Sequence, residues 1–107
     1  MINRTSTSAA NSIVIQSPCR LVRLTVSNKL AGSQYIQMFD AGVLPADGAE
    51  PSIPPVKINQ DDVLVIEYGE AGRTFNNGLA ICNSTTELTK TIGATNCWFD
   101  LQLLTLD

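Results

Sequence analysis

The chain contains no histidine. That removes the commonest general base and the commonest metal ligand, and with them every Ser/His or Cys/His arrangement for nucleophilic catalysis. Charge is scarce too: 16% of the 107 residues are charged, and the seven basic ones stand singly at Arg4, Arg20, Arg23, Lys29, Lys57, Arg73 and Lys90, for a net charge of -3. A phosphate-binding face needs basic residues gathered into a stripe, so nucleic acid is not expected as a partner. Apolar runs stop at about four to five residues, against the roughly 20 that a membrane helix needs, so no membrane is expected either. Residues 1–11 are mostly Asn, Ser, Thr and Ala in place of a basic start and an apolar stretch, and no secretory signal is read there.

Three cysteines, Cys19, Cys82 and Cys97, are too few and too uneven for a disulfide framework and lack metal-ligand spacing. A reducing compartment is expected. The remaining route to chemistry is paired carboxylates, Asp61-Asp62 with Glu67 or Glu70 with Asp100, as a glycosidase pair or an oxygen-ligated calcium site. Adjacent acids in an Asn-Gln-Asp-Asp turn are more simply solvated turn residues, and nothing matches an EF-hand loop. The expectation is a chain with no catalytic residues, no cofactor and no metal, and not an enzyme.

What the chain does have is 44% hydrophobic residues in short alternating runs. A body this size buries roughly 65% of the surface its unfolded chain exposes, enough for one self-sufficient domain. In residues 20–27, Val22, Leu24 and Val26 alternate with Arg23 and Thr25, which predicts a half-buried strand. Further strands are predicted at residues 12–16, 34–40, 56–58, 63–68, 73–75, 78–82 and 97–104. In the second of these, Ile36 and Met38 face one way and Tyr35, Gln37 and Phe39 the other. Residues 41–55, with four prolines and Asp47-Gly48, form a long connection. The turn at 59–62 reads as a hairpin between its flanking strands, and Asn77-Gly78 as a type I′ turn or a glycine bulge.

No 11-residue window keeps a helical apolar stripe. The fold class expected is all-β: a single-domain, jelly-roll-like β-sandwich over residues 12–107, with a flexible N-terminal arm at 1–11.

Two residues of the last third invite closer reading. Cys82 and Cys97 lie in strands that could pair antiparallel across the loop between them, as a disulfide, as a reactive thiol, or, preferably, as small buried hydrophobes beside Trp98 and Phe99. Asn3-Arg4-Thr5 and Asn83-Ser84-Thr85 match the glycosylation sequon but are discounted without a secretion signal. Trp98 falls on the strand face opposite Cys97, Phe99, Leu101 and Leu103, together with Asp100 and Gln102. If the aliphatic face fills the core, Trp98, Asp100 and Gln102 form an amphipathic patch suited to a partner or a sugar ring. The competing reading covers Trp98 with a loop of the same chain.

Several segments taken together resemble a family of small structural proteins of tailed bacteriophages. They are Arg73-Thr74-Phe75, Cys82-Asn83-Ser84, Thr89-Lys90-Thr91-Ile92-Gly93 and Cys97-Trp98-Phe99-Asp100, with Tyr35-Ile36-Gln37-Met38-Phe39-Asp40 and Leu44-Pro45-Ala46-Asp47-Gly48 upstream. The resemblance covers residues 27–103. It implies a virion component, comparable with the decoration or cement proteins on the capsid exterior, made in the host cytoplasm. The partner it implies is the major capsid protein, and a homotrimer is the natural state at three-fold junctions. The alternative function is a carbohydrate- or receptor-binding module of a phage tail or fibre, with Trp98, Tyr35 or Tyr68 stacking on sugars beside Asp100, Gln102 and Gln37.

Overall fold

The computed structural model describes residues 2–6, 8–29 and 32–105; expectations at 1, 7, 30, 31, 106 and 107 lie outside these residues. The described residues form nine strands and no helix: β1 Ile2–Thr5, β2 Ser12–Ile15, β3 Cys19–Asn28, β4 Gln34–Phe39, β5 Val56–Ile58, β6 Val63–Glu67, β7 Arg73–Phe75, β8 Leu79–Ser84 and β9 Cys97–Thr105. They pair antiparallel in two sheets. One, the β9 sheet, runs β1-β9-β3-β6 with β7 also on β3; the other, the β8 sheet, runs β2-β8-β4-β5.

This order is a rolled-up hairpin. First pairs with last (β1 with β9), second with second-last (β2 with β8), β3 with β6 and β7, and β4 with β5. With β6 and β7 counted as one interrupted strand, the topology is an eight-stranded jelly roll. The all-β sandwich expected from alternation is therefore the observed fold.

Between the sheets lies the main core, which includes Leu21, Leu24 and Val26 of β3, Ile36 and Met38 of β4, Leu79 and Ile81 of β8, and Phe99, Leu101 and Leu103 of β9. Alternation places all of these inward from strands whose intervening residues face out. One phase shift intervenes. Leu21 faces Leu103 and Arg23 faces Gln102, so Val22 is the extra residue of a β-bulge. Leu21, not Val22, therefore fills the core, and the bulge directs the Val22 carbonyl to accept from the Tyr68 N–H at 2.8 Å.

Four further expectations are corrected. Residues 2–5, expected in a flexible arm, are strand β1, and Ala10 bridges to Cys97. All four β1 residues are exposed, so the strand is held through its backbone pairing to β9 and leaves no hydrophobic signature. The strands flanking 59–62 do not form a hairpin: β5 pairs with β4 in one sheet and β6 with β3 in the other. Buried Asn28 stitches that crossing. Its amide donates to Ile58 O and Asn59 O at 3.3 and 3.2 Å, and its backbone exchanges bonds with Asp61 and Asp62. Asn77-Gly78 likewise crosses between sheets. A Cβ on Gly78 (φ 121°) would lie 2.6 Å from the Ile15 carbonyl and 2.7 Å from Gly42 Cα, so glycine there permits a close backbone approach. Finally, Cys82 and Cys97 are not on paired strands, because β8 and β9 belong to opposite sheets.

Replacing Phe99, which is fully enclosed, by Ala is expected to cost about 3–5 kcal/mol. Trp98→Ala on the same strand should cost a small part of that, as measured by denaturant unfolding.

Candidate contact face

The two sheets differ in what covers their outer faces. On the β8 sheet both strand faces are enclosed: every residue of β8 is buried, as are five of six in β4. The outer face forms a second, small core in which Phe39, Ala80 and Cys82 pack with Val14, Ala41, Leu44, Ala49 and Ile92. The connections 40–55 and 85–93 thus serve as a lid.

That lid is fastened by buried polar groups. Gln37 is fully enclosed, and its amide donates to the carbonyls of Thr86, Glu87 and Thr89 at 2.9, 2.9 and 3.1 Å. Ser84 Oγ donates to Thr86 O at 2.7 Å and accepts from Thr91 N at 3.0 Å. The two lid segments then clasp each other: Lys90 N donates to Ala49 O, Gly48 N to Lys90 O, and Lys90 Nζ lies 2.6 Å from Asp47 Oδ1. Lys90 is 4% exposed and Asp47 54%, so Lys90 is the member that depends on the pair. The Lys90 hydrogen bond, and after it the Ile92 N–H, hold the Asp47 carboxyl below its ordinary value.

The outer face of the β9 sheet has no such lid among the described residues. Its rows follow from register. Trp98 and Val63 flank Ser27; Asp100 and Val65 flank Thr25; Gln102 and Glu67 flank Arg23. Trp98 is 42% exposed, Val63 60% and Val65 46%. Thr5 Oγ1 donates to Asp100 Oδ1 at 2.7 Å, and Arg23 lies 3.6 Å from Glu67. The patch expected at Trp98, Asp100 and Gln102 thus lies on one face, with Gln102 half-buried between Asn3 and Arg23. Sequence reading missed Val63 and Val65, which only the β3–β6 register brings beside Trp98.

The other candidates do not converge. Tyr35 belongs to the β8 sheet, Tyr68 packs against the main core with Arg73 6.0 Å from its ring, and Gln37 is enclosed. No sugar platform with Trp98 results. Glu67 lies at the opposite end of β6 from Asp61 and Asp62, Glu70 lies beyond that end while Asp100 is in the row of Val65, and among the described residues no group of His, Cys, Asp or Glu could hold a metal. Asn83, in the second sequon, is fully buried and donates to Gln34 Oε1 and Ala94 O. All three cysteines are free and buried, with burial pushing the Cys82 and Cys97 thiols up to about 11. They are small hydrophobes of two different cores, neither bridged nor activated. A groove of about 470 Å³ lies between residues 50–55 and Leu88 on the lid.

No protein-family model and no curated protein matches the chain. Among solved structures, the coat protein of tobacco streak virus is similar with a TM-score of 0.43 and 12% identity, over 94% of this chain and 83% of that one.

Two outcomes are expected. A thiol-reactive dye should leave the native protein unlabelled at neutral pH and label all three cysteines once it is unfolded. Because the Asp47 carboxyl is lowered in the folded state, its contribution to stability is complete above the ordinary value of 3.8 and is lost as pH falls through the lowered one. Below 3.8, Asp47→Asn should therefore flatten the fall of stability in acid-unfolding curves.

Proposed function

We propose that this chain is a virion structural protein that binds the exterior of a phage head, at junctions between capsid subunits, and stabilises it. The observation that carries the reading is the uncovered outer face of the β9 sheet, where Trp98, Val63 and Val65 surround the hydroxyls of Ser27 and Thr25. An aromatic anchor with aliphatic neighbours and a polar rim is the composition of a protein-binding patch. The motif resemblance to small tailed-phage structural proteins supports the virion setting. The fold alone does not choose, since jelly rolls serve in both capsid and lectin domains.

In this reading the partner is the major capsid protein, and the action is contact area repeated by symmetry, without catalysis. Among the described residues the ion pair on the face, Arg23 with Glu67, is internally compensated, so the contact depends little on salt. The scattered tyrosines weigh against the sugar-binding alternative.

Purified protein added to heads lacking it should bind to a fixed stoichiometry and raise their resistance to heat. Trp98→Ala should weaken that binding about tenfold or more, equivalent to at least about 1.4 kcal/mol, without loss of fold. Binding to host glycans with none to heads would overturn the proposal.

A further inference from the structure

Among the described residues the β9 sheet ends in two edge strands, β1 on one side and β6 on the other, each paired along one side only. Neither edge carries proline, a bulge or lysine, and the protection each has is one charged side chain, Arg4 or Glu67, with β1 also short. Three of the large hydrophobic residues left exposed by the fold lie on these two strands: Ile2 at 43%, Val63 at 60% and Val65 at 46%. The edges also differ in charge. β1 carries Arg4 and no acid, whereas β6 carries Glu67 and is preceded by exposed Asp61 and Asp62.

We propose that copies of this chain associate head to tail, β1 of one copy pairing with β6 of the next, so that the β9 sheet continues from copy to copy. Strand polarity permits it. Three successive antiparallel pairings make β6 run opposite to β1 within one sheet. A neighbour related by rotation about an axis along the strands therefore presents its β1 antiparallel to β6, and the alternation is preserved. A register that sets Arg4 opposite Asp62 sets Asn3 opposite Val63 and Ile2 opposite Leu64. Outward residues then meet outward residues, and Ile2 gains an aliphatic neighbour.

Charge favours this pairing over the two self-pairings. In full antiparallel register β6 on β6 sets Glu67 opposite Val63 and β1 on β1 sets Arg4 opposite Asn3, so neither gains the opposite-charge pair that Arg4 makes with Asp62. A head-to-tail contact closes into a ring when the rotation permits. The outer face then lies on one side of the assembly with Trp98 in every copy. The contact does not involve Trp98 itself, so the association stands or falls independently of head binding.

The test is the mass of the full chain in solution, by sedimentation equilibrium up to about 100 µM, a range that saturates ordinary specific contacts. The unaltered chain should be oligomeric. Arg4→Glu and Asp62→Lys should each weaken association about tenfold or more, and combining them in one chain should restore it, with thermal melts unchanged throughout. A monomer across the whole range overturns the proposal, as does an oligomer that both single reversals leave intact. If association persists and Arg4→Glu leaves it unchanged, β1 is not part of the contact and the proposal fails whatever Asp62→Lys does.

Discussion

Gln37 sits at the centre of a constraint on the whole molecule. Its amide is closed off from water on a strand buried on both faces, where an unpaired donor would cost about 1–3 kcal/mol. Three carbonyls of the 85–93 connection meet that requirement, and in doing so they hold the connection over Phe39, Ala80 and Cys82. The lid can stay in place only because the buried polar groups beneath it are paired. With one outer face of the sandwich closed in this way, the other is the one left uncovered among the described residues.

The same fastening accounts for several segments singled out in the sequence. Leu44 to Gly48 and Thr89 to Gly93 are distant in sequence, yet Asp47 meets Lys90 and Ile92, and Gly48 meets Lys90. The motif around Tyr35 to Asp40 supplies Gln37. These segments encode the fastening of the lid and contain no catalytic pattern. The residues of the contact face are carried mainly by other strands, β3, β6 and the outward positions of β9, where little in the local sequence marks them.

Legibility followed the range of the interaction involved. Alternation is local, so the strands around Leu24, Ile36 and Phe99, and the outward placing of Trp98, could be read directly. Pairing partners are not local. The turn at 59–62 has the chemistry of a hairpin, yet Asn28, some thirty positions away, draws it into a crossing between sheets. β1 was unreadable because none of its side chains reaches the core. The Val22 bulge was hidden because Val22, Leu24 and Val26 alternate without a break, and nothing local signals that Leu21 takes the inward place. Cys82 and Cys97 look symmetrical about their loop, but a jelly roll pairs strands from the outside inward and so sends them to opposite sheets.

The central claim is that the face bearing Trp98 makes contact while the lid does not. Side-chain footprinting by hydroxyl radicals, comparing the free protein with the head-bound protein, addresses it directly because Trp98 and Leu88 report on opposite faces. The account predicts that Trp98, Val63 and Val65 are modified in the free protein and protected on the head, while Leu88 and Val43 are modified equally in both. Equal modification of Trp98 in both states, with protection appearing at Leu88, would contradict it.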